Sequence, residues 1–237
     1  MGCLKNNGVL LPGSGRVGSG RWYVDKQPSL DLVVAENTKC ELVIGDDSEL
    51  DEMRVDVERG AELNIVHAVA KRSSTDFAIA LAEGASCRMT EVVVSEAEIR
   101  VAASLMEPNA HFELDGVFVL SGEEQGSVTV DVNHISPDCS SRTSYKGVAS
   151  GKSHGSFSGL VYVAPDAQHT DSQQSSRNIT IGEARIETLP QLEIYADDVK
   201  CSHGATVGQM DADAILYMRQ RGLSPADAKR LQIEGFV

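Results

Sequence analysis

ERGAELNIVHAVAKRSSTDFAIALAEGASCRMT, residues 58–90, opens and closes on one phrase: an acid, Gly, Ala, then a fresh polar–apolar alternation. The phrase returns, loosely spelled, as ENTKCEL, EPNAHFE, SPDCSSR and APDAQHT. Its small residue falls at Thr38, Ala61, Ala85, Ala110, Cys139 and Ala167, in steps of 23, 24, 25, 29 and 28 residues. Weaker echoes follow at GEARIET and HGATVGQ. Between these marks, in CELVIGD, AELNIVHAV and GSVTVDVNHI, the chain alternates with period two and is rich in Val, Ile and Thr, which is strand material. No helical period intervenes from about residue 29 to 207. Repeats of this length, each holding strands and turns, mark a solenoid, because one coil alone cannot close its core. The expected fold is all-β, a parallel β-helix. An antiparallel sandwich is the competing reading, but its turns recur every ~8–12 residues.

The tail changes period. MDADAILYMRQRG reads as a helix capped by Asp211 and ended by Gly222, with Ile215, Leu216 and Met218 apolar. LSPADAKRLQIEGFV restarts helix with Ser224 as N-cap, Pro225 at the first helical position and Asp227 three residues after the cap. The expected organisation is an N-terminal segment or linker over 1–28, a β-helix core over 29–207 and a C-terminal helical segment over 208–237. That segment either caps the solenoid or presents an apolar face to another subunit.

Composition narrows the function classes. The chain has 237 residues, 41% hydrophobic but only 5% aromatic, and a net charge of −14. Such acidity disfavours a phosphate backbone or an anionic membrane surface. No stretch approaches the ~18 apolar residues of a membrane span, and no secretory signal is visible. Met1-Gly2-Cys3 hints at acylation, but Asn6 stands where a myristoylation site wants Ser or Thr. Five dispersed cysteines without a Cys-x-x-Cys do not make a disulfide framework, so a reducing cytoplasm is expected. GSGRVGSGR has the glycine spacing of a dinucleotide loop, but strand and Pro28 follow it rather than a helix, so it reads as linker. KGVASGKS has three residues between Gly147 and Gly151 where a phosphate loop needs four. No nucleotide is expected on this chain. The histidines other than His203 show no ligand spacing and read as solvent-facing or locally satisfied.

YADDVKCSHGATVGQ, residues 195–209, holds the candidate chemistry. In a strand, Cys201 and His203 share a face, with Ser202 opposite. Thiolate plus imidazole suits iron, zinc or copper(I), and a nearby imidazolium favours thiolate. The alternative is a buried, inert cysteine, since free cysteine is among the most buried residue types. Two donors fall short of the four that a structural zinc or a cluster takes. A metal here needs further ligands from a second chain, which points to a subunit interface.

LPQLEIYADDVKCSHGATVGQMDADAILYMRQRGLSPADAKRLQIEGFV closely resembles the C-terminal part of the SufB/SufD family of the SUF iron–sulfur assembly system, and YKGVASGKSHGSFSGLVYVAPDAQHTDSQQSSRNI resembles the segment preceding it. The resemblance implies a right-handed β-helix and a non-catalytic scaffold that pairs with a SufB-type subunit and a SufC-type ATPase, a transient iron–sulfur cluster forming at the subunit interface. It places Cys201 and His203 near that interface, with His203 the stronger ligand candidate. It assigns the ATPase contact to the helical tail, where Ile215, Leu216, Met218, Leu223 and Leu231 are apolar. No cysteine lies between Cys139 and Cys201, which favours the SufD-like branch. His169 stands where relatives commonly have lysine. Pairing with itself, a polysaccharide-acting β-helix enzyme and a purely structural dimer partner are the alternatives; one Trp and no secretion signal count against the enzyme.

Overall fold

The computed structural model describes residues 3–6, 9–11 and 14–237. Strands β1 (Cys3–Asn6), β2 (Val9–Leu11), β3 (Ser14–Val17), β4 (Gly20–Asp25), β5 (Ser29–Val34) and β6 (Lys39–Ile44) begin the chain. Then come β7 (Glu52–Val57), β8 (Glu62–Val69), β9 (Ser73–Leu81), β10 (Ser86–Val93), β11 (Ala97–Leu105) and β12 (His111–Leu120). The last six are β13 (Gln125–His134), β14 (Ser140–Gly151), β15 (His154–Val163), β16 (Asp171–Gly182), β17 (Arg185–Ile194) and β18 (Lys200–Gln209). Even-numbered strands from β4 onward stack in one sheet and odd-numbered strands from β3 onward in the other. Each coil adds one strand to each sheet, in parallel register with the coil before. This is the expected β-helix.

The repeated phrase is the corner before each even strand. Asn37, Gly60, Gly84, Asn109 and Asp138 are left-handed there, with φ of 54°, 64°, 64°, 61° and 59°, a region that favours Gly, Asn and Asp. Corners stack through backbone bonds, such as Gly60 N–H to the Glu83 carbonyl at 2.9 Å and Gly84 N–H to Pro108 at 3.0 Å. The next residue, Ala61, Ala85, Ala110 or Cys139, is small and buried. One mark moves. At the sixth corner the left-handed residue is His169 (φ 62°), so the equivalent small residue is Thr170, not Ala167. Pro165-Asp166 imitates the turn signature three residues early, and Thr170 Oγ1 ties back to the Ala167 carbonyl at 2.9 Å, as Thr38 does to Ala35 at 2.6 Å.

Coils also begin earlier than residue 29. Strands β3 and β4 lie in the stretch expected as linker and pair in parallel with β5 and β6, burying Val17, Trp22 and Val24. Their alternation is diluted by glycine, which hid it. Residues 1, 2, 7, 8, 12 and 13 of that stretch, with Met1-Gly2 of the acylation reading, lie outside the described residues. The hairpin β1–β2 pairs antiparallel onto β4 and covers that edge of the even sheet. At the other end, β18 and β17 are the last strands of the two sheets, and β18 runs to Gln209.

Helices α1 (Ala212–Gln220) and α2 (Pro225–Phe236) follow. The Asp211 carboxylate accepts from the N–H groups of Asp213 and Ala214, and Ser224 Oγ accepts from Asp227 N–H at 3.1 Å. Ala228 alone of the residues in these helices is buried.

Candidate functional site

Inward positions of the even strands form columns along the solenoid, and each column changes chemistry partway. One reads Cys40, Leu63, Cys87, Phe112, Ser141, Ser172, Cys201. Its neighbour reads Leu42, Ile65, Met89, Leu114, Thr143, Gln174, His203. The first four members of each are an apolar core, and those that follow are polar up to the terminal pair. Ser141 Oγ and Ser172 Oγ bond at 2.8 Å, and His134 Nε2 meets Ser141 Oγ at 2.8 Å. Burial pushes His134 down to about 4, so it is neutral. Gln174 is buried, yet neither of its amide atoms has a partner among the described residues. Under the last coil, the even-sheet wall of the lumen is therefore polar in these two columns.

Cys201 and His203 close these two columns, where no further coil lies over β18. In-register pairing with inward-facing Ser172 and Gln174 puts both side chains on the lumen side, as the i, i+2 spacing predicts. Cys201 is half-buried against Val161, Val163, Ala167 and Ala196. Its thiol is held up by burial, eased by the Ser172 backbone and raised further by Asp171, so it is protonated at neutral pH. His203 is exposed. Among the described residues no third His, Cys, Asp or Glu joins them in a metal-holding set.

The open end is also apolar in places: Leu189, Ile194, Tyr195 and Val207 are exposed, and the Tyr162 and Tyr195 rings lie 5.7 Å apart, their planes inclined by 52°. In the tail, Leu216 and Leu231 are exposed, while Ile215, Met218 and Leu223 are half-buried. Four of the five tail residues sit on two helices that bury almost nothing of themselves, and Leu223 lies in the turn between them.

A second cluster escaped the sequence reading. His67 Nδ1 lies 2.9 Å from Glu91 Oε1, and the Tyr145 hydroxyl donates to Glu91 Oε2 at 3.4 Å, all three side chains being buried. They occupy one inward column, in which Gly116 separates Glu91 from Tyr145. A Cβ at Gly116 would lie 2.1 Å from the Tyr145 ring, so glycine there makes room for the phenol to reach Glu91. Of the two states expected for the histidines, solvent-facing or locally satisfied, His67 and His134 take the second, as buried core residues bonded to Glu91 and Ser141. The signal was present: His67 and Glu91 are separated by one coil step, the same 24 residues as Ala61 and Ala85.

The family described as "SUF system FeS cluster assembly, SufBD core domain" matches residues 23–236. The chain is 46% identical over 107 residues to the iron–sulfur cluster assembly protein SufD of Escherichia coli, a match covering 45% of this chain and 25% of that protein. It is 40% identical over 122 residues to a SufBD family protein of Synechocystis, covering 50% and 26%. A SufBD family protein of Mycobacterium leprae is 29% identical over 167 residues, covering 66% and 43%. The matched part thus spans a quarter to under half of these relatives. Repeat, fold and match over nearly the whole chain agree: it belongs to the SufB/SufD family, through the SufBD core domain, and is SufD-like.

Proposed function

We propose that this chain is a non-catalytic, cytoplasmic scaffold for iron–sulfur cluster assembly, which pairs through its last coils with a SufB-type subunit or a second copy of itself. The observation that carries this is the pair Cys201 and His203, two soft donors on a terminal strand whose remaining ligands must come from across an interface. His203 is the nearer candidate, since it is exposed, whereas burial keeps the Cys201 thiol protonated. A nascent cluster is cargo held between subunits. The weakly packed helical pair, with Leu216 and Leu231 outward, is suited to dock a SufC-type ATPase. The polysaccharide-enzyme reading loses its aromatic platform, because the lone tryptophan, Trp22, is buried.

The test is anaerobic co-expression with a SufB-type and a SufC-type protein, followed by iron and sulfide analysis of the isolated complex. His203→Ala should lower both, and Cys201→Ala should lower them less. Failure of the chain to join the complex defeats the scaffold reading. Wild-type cluster content in both variants defeats the site and leaves a structural dimer partner.

A further inference from the structure

On the outer face of the even sheet, the flank of the N-terminal coils carries neutralising cross-coil pairs. Arg21 meets Glu41 at 2.6 Å, Lys39 meets Glu62 at 2.9 Å and Arg88 grips Glu113 at 2.6 Å, while at the adjoining corners Arg59 meets Glu83. In a chain of net charge −14, carboxylates are in surplus. Strands β14 and β16 break the rule. Lys146 stands directly opposite Arg177, a like-charge cross-strand pair that is destabilising on its own. Arg142 projects from the same face of β14, four residues before Lys146.

Neither Arg142 nor Arg177 makes an ion pair among the described residues. Of the acids on the flanking strands, Glu113 on β12, opposite Arg142, is engaged by Arg88, Asp115 on β12 is opposite Ser144, and Asp171 on β16 is opposite Ser140, one outward position beyond Arg142. Lys146 is held in place by the Phe236 ring, 5.7 Å from its Nζ, and by the Val237 carbonyl at 3.0 Å. All three cations line one cavity of about 150 Å³, together with Ser144, Gln173 and Ser175. That is below the ~300 Å³ of a pocket for a drug-sized ligand.

We propose that this cavity is an oxyanion site that takes a phosphoryl group. Two guanidiniums supply paired N–H donors matched to phosphate oxygens, the ammonium supplies a point charge, and the Ser144 and Ser175 hydroxyls complete the donor set. A bound phosphoryl group also removes the Lys146–Arg177 repulsion. The site lies on the outside of the sheet, whereas Cys201 and His203 face the lumen.

The test is calorimetric titration of the intact chain with inorganic phosphate, against chloride at matched ionic strength. Saturable binding is expected, weakened about tenfold by Arg142→Gln or by Arg177→Gln and abolished in the double variant, while Lys152→Gln behaves as wild type. ADP in place of phosphate separates sources: tighter binding assigns the site to a nucleotide phosphate, equal or weaker binding to the free anion. In phosphate-free buffer Arg177→Gln should melt no lower than wild type, because a repulsion is relieved. Absence of saturable phosphate binding, or its persistence in a folded double variant, overturns the proposal.

Discussion

Replacing His67 by Leu isolates the buried network from the rest of the core. The Glu91 carboxyl is fully buried and has two partners, His67 Nδ1 at 2.9 Å and the Tyr145 hydroxyl at 3.4 Å. His67→Leu removes the shorter contact and leaves Glu91 with the longer one, in a lumen lined by Phe77, 5.0 Å from the His67 ring, and Phe157, 5.4 Å from Tyr145. Breaking a buried pair from one side costs about 3–5 kcal/mol. Loss of the His67–Phe77 edge contact adds no more than about 1 kcal/mol. For a chain of this size that lowers Tm by about 10 °C. The triple variant His67→Leu, Glu91→Leu, Tyr145→Phe removes every polar member while keeping the volumes close, and is expected within about 1 kcal/mol of wild type. Urea and thermal unfolding followed by circular dichroism measure both. A single variant costing under about 1 kcal/mol, or a triple variant that falls as far as the single, refutes the reasoning.

Three further outcomes follow from the same geometry. Alkylation of Cys201 by iodoacetamide, read by peptide mass spectrometry, should be slower at pH 7 than for a free thiol and rise only in the alkaline range, because burial disfavours the thiolate; free-thiol rates at pH 7 would contradict this. His134 has its folded-state pKa lowered from 6.5 to about 4, so between those values the unfolded chain binds the extra proton and stability falls on acidification, by at most about 3 kcal/mol; His134→Gln should flatten that slope in urea titrations from pH 7 to 4. Tyr195→Lys and Val207→Lys, both at the open end, should weaken pairing with a second subunit about tenfold each in light-scattering titrations, and unchanged association would place the interface elsewhere.

The solenoid was legible because its rules are local. Alternation marks strands, and Gly60-Ala61 and Gly84-Ala85 announce the same corner twice. Legibility failed where two turn signals compete: His169 tolerates left-handed backbone less conspicuously than Gly or Asn, whereas Pro165-Asp166, three residues earlier, looks like a turn. It failed also at Ser14–Asp25, where glycines diluted a strand pattern that Val17, Trp22 and Val24 still carry. The shared face of Cys201 and His203 follows from their spacing. Their place over the polar pair Ser172 and Gln174 does not, because those residues lie a full coil away. The Lys146–Arg177 apposition likewise becomes visible only once the register is known.

The one-sided covering of the sheets turns the molecule into a ruler. Between β4, edged by the hairpin, and β18, bearing Cys201 and His203, lie seven inter-strand steps, about 34 Å at 4.8 Å each. Corner stacking repeats with every coil, so the distance from covered edge to donor pair comes in whole increments. Excising or duplicating one complete coil shifts that distance by a single graduation and leaves the donors' orientation intact. Excising a fraction of a coil leaves no graduation to land on. The spacing between the two ends is thus a digital quantity, set by a coil count and not by the fine geometry of any side chain.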